Sequence, residues 1–488
     1  MPLDRLPPAP LWRCALLLAA LVITRPLAAQ TTVLPTDVVD ALRMVDIEAT
    51  DMVALVQEAG ADTAPRLAWQ IRRPVNPASL MKLFPTQAAL ELLGPAWQWT
   101  TPVWLSGKLP QPAASSDPAG GIYAGDITIR GTGDPTLSIE RLWMFLRHLR
   151  QLGVRDIRGD IVLDRSAFAA PTTTPGDFDD EPLRPYNVQA DALLLNQNVM
   201  FLGFDPDPIL QIARVSIEPP LDGVRAPTSV ALSDQPCSDW RAALMADFSR
   251  PSGPRFDGAF PAACGSKRWA VAPPDPQGFN RRMLIGLWRE MGGRFSGQVR
   301  DGVAPATRPD FELTSAPLAD VVRDINKFSN NVMAQQLFLS LPLALYGDGS
   351  PAMARQGLAE WVRSWLGDED SRSLVIDNGS GLSRDNRITA LALGQLLQRA
   401  WSGPTMAEMM ASLPVSGLDG TMRRSSVAAG RAHLKTGSLR DVRGVAGYVL
   451  ADDGKRYAVV AIVNHPNANR ARAALDRLAQ WVMKTAGD

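Results

Sequence analysis

Ser79 and Lys82 stand three residues apart in NPASLMKLFPT, residues 76–86, at the mouth of an apolar segment that runs on to Gly94. On a helix, positions three apart share a face, which brings the Ser79 hydroxyl within reach of the Lys82 amine. A serine hydroxyl is a weak nucleophile until a base takes its proton, and a desolvated lysine can be that base. The structural alternative is an N-capping serine and a lysine whose stem lies along apolar surface. Two further clusters bear on the choice. INKFSNNVMAQQL places Ser329, Asn330 and Asn331 where one helix ends and another begins, and HLKTGSL places Lys435, Thr436, Gly437 and Ser438 on a strand. Each is common alone; in this order, behind a Ser-x-x-Lys that opens a helix, they are specific.

Composition sharpens the point. The chain has 50 basic residues, of which only seven are lysines. Arginine does not release its proton in proteins, whereas lysine does when desolvated. Two of the motifs draw on that small supply. The three histidines, His148, His433 and His465, are scattered, so neither a Ser-His-Asp triad nor a metal site is expected. His433 alone shares a strand face with a motif residue, Lys435. No phosphate loop or Gly-x-Ser-x-Gly elbow occurs. A net charge of zero gives no sign of nucleic acid or an acidic membrane surface as partner.

The three motifs together are those of penicillin-binding proteins and class A β-lactamases. The chain resembles the penicillin-interacting serine peptidases, and within them the D-alanyl-D-alanine carboxypeptidase/endopeptidase family of the low-molecular-mass class C type, peptidase family S13. PASLMK, LELLGP, RGTGDPTL, INKFSNN, DNGSGLSRDN, LPVSGLDGT and LKTGSL carry the resemblance over nearly the whole mature chain. The long stretch between Ser79 and Ser329 separates it from β-lactamases, in which that gap is much shorter.

The resemblance implies an α+β fold. A serine β-lactamase/DD-transpeptidase-like catalytic domain, with an antiparallel five-stranded sheet covered by helices, would carry large, mostly β insert domains. It implies Ser79 as nucleophile, Lys82 as base, Ser329 as proton relay and Asn331 as the group that orients Lys82 and the substrate amide. Lys435, Thr436, Gly437 and Ser438 would hold the terminal carboxylate and complete the oxyanion hole. Asp164 and Phe168 in DRSAFA, with Arg384 in GLSRDN, match positions that contact the peptide's free amino end; a turn-capping aspartate and a core phenylalanine are the alternative. The implied partners are peptidoglycan stem peptides and β-lactam antibiotics, with no cofactor and no metal. The implied function is a serine-type D-Ala-D-Ala carboxypeptidase/endopeptidase; a β-lactamase or a non-catalytic wall-binding scaffold is the alternative. The sequence departs from the family pattern at Pro85, which removes a helix bond to the Met81 carbonyl and predicts a kink one turn past Lys82.

These residues need elements to position them. Residues 52–60 and 66–73 read as a strand pair before the Ser79 helix, and three strands near the end (432–439, 443–452, 455–465) complete one antiparallel sheet. Helical patterns fill the region from about residue 313, and LFLSLPLALYG is expected to break at Pro342. Between lie short strand-like runs interrupted by a helix at 138–153. The expected division is 30–99 with 313–488 for the catalytic domain, 100–127 with 212–312 for one insert domain and 128–211 for another. CALLLAALVIT, residues 14–24, with Arg5 and Arg13 before it, reads as an export signal cleaved after Ala29; an uncleaved anchor is the alternative. Its apolar core is short against the roughly 20 residues of a spanning helix. Export makes the chain periplasmic and leaves Cys237 and Cys264 as an even pair. In an oxidising compartment they are expected to bridge, two buried thiols being the alternative.

Overall fold

The strand-like runs at the two ends of the chain meet in one sheet. In the computed structural model, which describes residues 32–110, 121–250 and 252–484, β1 (Met52–Glu58) and β2 (Leu67–Trp69) join β3 (Ala432–Leu439), β4 (Val442–Leu450) and β5 (Arg456–Asn464) in the order β3-β4-β5-β1-β2. Every pair is antiparallel. The export signal expected at 1–29 lies outside the described residues.

Both faces of this sheet are covered. Val53 and Leu55 of β1 face a core shared with helices α1 (Leu83–Leu92), α2 (Leu318–Phe328), α3 (Asn331–Tyr346) and α4 (Ala390–Ser402). Met52, Ala54 and Val56 face a second core, closed by the helix Thr36–Arg43 and by α5 (Arg472–Lys484). Double burial explains why β1 and β5 read as continuous apolar runs instead of alternating ones. β3 is an edge strand. The start of its outer edge is covered by residues 414–416, through Leu434 N–H to Pro414 O and Ser416 N–H to Ala432 O. The remainder has no strand beside it.

Two prolines behave differently from expectation. Pro342 lies inside α3 and does not end it. Residues Val332–Leu341 of this helix are largely buried, and that apolar contact offsets the roughly 3 kcal/mol that an internal proline costs. Pro85 is the third residue of α1. A proline is tolerated in the first turn of a helix, and α1 runs on unbroken to Leu92.

The stretch between the two halves of the catalytic region forms two further five-stranded sheets. One runs in the order Val299–Asp301, Ile161–Asp164, Ile127–Arg130, Thr100–Leu105, Phe311–Thr314. The other runs Phe260–Pro261, Ser229–Ser233, Ile212–Glu218, Met200–Asp207, Lys267–Val271. Pairing therefore crosses both expected internal divisions: Ile127–Arg130 lies between strands on either side of 127/128, and Met200–Asp207 forms a hairpin with Ile212–Glu218 across 211/212. Cys237 and Cys264 are disulfide-bonded beside the second sheet, with Cα atoms 4.8 Å apart.

Candidate active site

Ser79 does not cap a helix. It sits inside a 3-10 turn, Ala78–Lys82, that precedes α1; Pro77 holds the N-cap position and no side chain caps it. In a 3-10 turn, residues three apart eclipse one another, which aligns Ser79 and Lys82 more closely than an α-helix would. The turn is entered through Ala78 at φ 48°, a left-handed conformation costly for a residue with a Cβ. Asn76 holds it there: its Oδ1 accepts from Ala78 N–H at 2.9 Å, and its backbone is clasped by the Asn464 amide at the end of β5.

The Lys82 amine is fully buried and meets three oxygens: Asn331 Oδ1 at 2.7 Å, the Ser380 carbonyl at 2.5 Å and Ser79 Oγ at 3.0 Å. The first two can only accept. A neutral amine has two N–H donors and one lone pair, so donating to both carbonyl oxygens leaves the lone pair for the Ser79 proton. Burial, and then the like charge of Lys435, hold Lys82 well below the usual lysine range.

Lys435 is also fully buried, and desolvation pushes its amine down to about 7. It donates to Ser329 Oγ at 2.8 Å and to the Thr436 carbonyl at 2.7 Å. Ser329 terminates α2 in the left-handed conformation, at φ 54°. Asn330 then caps α3 by accepting from Met333 N–H at 3.0 Å, and Asn331 is the first residue of that helix. The Ser-Asn-Asn sequence is thus a sharp helix-to-helix joint that aims Ser329 at Lys435 and Asn331 at Lys82.

Gly437 lies where β3 passes the nucleophile turn. A Cβ there would fall 2.7 Å from Pro77 O and 3.3 Å from Leu80 N. Alternate N–H groups of a strand point to the same edge. Because Leu434 N–H points outward to Pro414, those of Thr436 and Ser438 point off the open part of the edge. Ser438 N–H thus lies on the open edge of β3 beside the point where Gly437 meets the nucleophile turn. Thr436 Oγ1 pairs with Thr421 Oγ1 at 2.8 Å, and Arg443 Nη1 donates to Ser438 Oγ at 3.1 Å.

The motif residues Ser79, Lys82, Ser329, Asn331 and Lys435 to Ser438 are therefore brought together. Asp164 and Phe168 are not. Asp164 is buried at the end of its strand, its oxygens engaged by Ser166 N–H and Oγ and by Ala304 N–H. Phe168 is buried where Gly133, Ser340 and Gly349 meet. Ser340 is about 13 Å along α3 from Asn331 at 1.5 Å per residue. These are the turn-capping and core roles. Arg384 stands apart from those two, at the site's edge: it pairs with Asp441 at 2.7 Å, in the turn between β3 and β4, and lies over the Phe178 ring. His433 makes no hydrogen bond to the motif residues.

Three contributors escaped the sequence reading. Ser380 supplies its carbonyl to Lys82. Gly381, at φ +81°, lets this chain pass the nucleophile turn: a Cβ would lie 1.9 Å from Ala78 O. Both fall in DNGSGLSRDN, so the motif was visible although the role was not. The third is the loop bearing Phe178 and Tyr186. The Tyr186 carbonyl accepts from Asn331 Nδ2 at 3.4 Å, and its hydroxyl donates to Asp179, burial and that carboxylate raising the phenol to about 12. Its proline- and aspartate-rich sequence has no period and gives no signal.

The D-Ala-D-Ala carboxypeptidase 3 (S13) family model matches residues 38–485. A D-alanyl-D-alanine carboxypeptidase of Actinomadura sp. (strain R39) is 30% identical over 435 residues, covering 84% of this chain and 77% of that protein. The D-alanyl-D-alanine carboxypeptidase DacB of Haemophilus influenzae is 24% identical over 419 residues, covering 79% and 80%. The crystal structure of penicillin binding protein 4 from Haemophilus influenzae superposes with a TM-score of 0.70 at 21% identity, over 91% of this chain and 99% of that one, so the fold is shared. A second structure of that protein is a complex with a β-lactam. Among the described residues, no helix is long and apolar enough to cross a membrane, and no cluster of His, Cys, Asp and Glu could hold a metal ion.

Proposed function

The chain belongs to the D-Ala-D-Ala carboxypeptidase (S13) family, and from that premise we propose that it is an exported serine peptidase that cleaves D-Ala-D-Ala bonds and related crosslinks in peptidoglycan stem peptides through an acyl-enzyme on Ser79. The observation that carries this reading is the hydrogen-bond count at Lys82: two obligate acceptors and one hydroxyl around a desolvated amine.

Ser79 Oγ attacks the carbonyl carbon between the two D-alanines while Lys82 takes its proton. The oxyanion is held by the N–H groups of Ser79 and Ser438. Lys82 is hydrogen-bonded to Ser79, and Ser329 to Lys435. The proton passes through Ser329 to the departing amine, and the C–N bond breaks to leave an ester on Ser79. Water then attacks the ester, frees the shortened peptide and returns a proton to Ser79. Lys435, as ammonium, and the hydroxyls of Thr436 and Ser438 bind the terminal carboxylate. The loop with Phe178 and Tyr186, beside Arg384 and Asn331, contacts the peptide's free amino end in place of Asp164 and Phe168. A β-lactam acylates Ser79 in the same way and stays as a long-lived ester.

Intact-mass analysis after penicillin treatment tests this. One adduct is expected on the wild type and none on Ser79→Ala, with D-alanine released from a pentapeptide by the wild type alone. An adduct that survives the substitution would place the nucleophile elsewhere. Rapid nitrocefin turnover would favour a β-lactamase, and peptide binding without D-alanine release a scaffold.

A further inference from the structure

Thr436 and Ser438 project from the face of β3 opposite Lys435 and Gly437, because side chains alternate along a strand. On that face, next to the proposed carboxylate clamp, lies a cavity of about 670 Å³ between residues 420–425, β3, β4 and α5. Its charged lining is one-sided: Arg423, Arg424, Arg443 and Arg472 against the single carboxylate of Asp476. Arg472 Nε lies 3.7 Å from Asp476, and its Nη2 reaches the Arg424 carbonyl at 3.4 Å. Among the described residues, no carboxylate forms an ion pair with Arg423, Arg424 or Arg443. Burial, and then the like charge of Arg472, disfavour the Arg443 cation, and the nearby charge of Asp476 offsets this only in part. Crowded guanidinium groups of this kind are stabilised by an anion between them, and they match carboxylates in shape as well as in charge.

The cavity is continuous with the clamp. Thr436 lines it, and Arg443 touches Ser438 Oγ. A leaving D-alanine ends at the clamp, its one carboxylate used, and gains nothing from Arg423, Arg424 or Arg472. When the bond cut is a crosslink, the leaving group is a second stem peptide with further carboxylates, and it continues past the edge of β3. We infer that this arginine-lined cavity is an anion subsite for the leaving peptide, which selects crosslinked substrates over terminal D-alanine. The inference rests on the peptidase reading of Ser79 and gives it a direction.

Binding to Ser79→Ala protein, which leaves substrates uncut, tests it. Calorimetry compares a crosslinked dimer of stem peptides with a linear pentapeptide, with and without Arg423→Gln, Arg424→Gln and Arg472→Gln combined. The dimer is expected to bind about tenfold or more tightly than the pentapeptide while the arginines are present. The triple substitution is expected to abolish that difference and to leave pentapeptide affinity within about twofold, as loss of exposed charges that it does not pair with should. Arg424→Gln alone, at an exposed position, is expected to give a smaller loss in the same direction and serves should the triple variant fold poorly. Equal affinity for both peptides with the arginines in place, or a loss that falls equally on both, overturns the inference and leaves the peptidase reading standing. Failure of the dimer alone to bind likewise overturns only the inference, whereas failure of both peptides sinks both readings.

Discussion

The two buried amines, Lys82 and Lys435, are set apart by their neighbours. Lys82 is surrounded by acceptors that suit a neutral amine, whereas Lys435 faces the gap where a carboxylate would bind. For penicillin acylation, kcat/KM is expected to rise with pH as Lys82 loses its proton and to fall again as Lys435, at about 7, loses its own. A bound carboxylate favours the ammonium form of Lys435, so the alkaline limb of kcat for peptide substrates should lie above that of kcat/KM; coincident limbs would remove Lys435 from carboxylate binding. Stability follows the same groups. Lys435 ionises at about 7 when folded, against about 10.4 for a lysine in an unfolded chain. Between those values the unfolded chain binds more protons, so stability rises with pH across that window. Lys435→Met is expected to flatten the rise in chemical denaturation between pH 7 and pH 10. At this scale the sequence was most informative, because motif spacing and the scarcity of lysine both singled out these residues. The Ser380 carbonyl was not legible, since a backbone group leaves no trace in residue type.

The element that aligns Ser79 with Lys82 is a 3-10 turn, and Pro85 stands beyond it in the first turn of α1. Pro85→Ala is expected to change stability by no more than about 1 kcal/mol and to leave acylation essentially unaltered; a large loss of acylation would mean that the proline itself sets the geometry. Gly381→Ala should behave in the opposite way. Its φ of +81° and its approach to Ala78 O leave no room for a Cβ. Acylation is expected to fall on the order of a hundredfold, the scale of an ångström's displacement of a nucleophile, as read by stopped-flow quenching with a fluorescent penicillin. The five strands of the catalytic sheet were legible as apolar runs bounded by turns. The 3-10 turn was not, because the same period of three or four residues serves either helix type. Pro342 was read as a break because the sequence does not show how deeply α3 is buried.

On the scale of the whole molecule, the insert is tied to the catalytic region through buried amides. Gln336, on α3, accepts from Asp191 N–H at 2.8 Å and donates to the carbonyls of Asp191 and Gly133. Gln336→Leu would leave these groups unpaired, and a loss of about 2–4 kcal/mol is expected in urea denaturation. A second tie, from Asn330 Nδ2 to Gln197 Oε1 at 2.9 Å, reaches the joint that aims Ser329 and Asn331. The existence of the insert was legible from its short strands. Its sheets were not, because strands such as Thr100–Leu105 and Phe311–Thr314 pair across some two hundred residues, and local pattern carries no record of partners. The half-covered edge of β3 has a last consequence. With residues 414–416 occupying its start, only the N–H groups of Thr436 and Ser438 remain to a peptide laid alongside. As a source of backbone pairing, the edge is in effect a ruler two units long: lengthening a ligand along it should add no further strand bonds, and any grip on a longer ligand has to come from side chains beyond it.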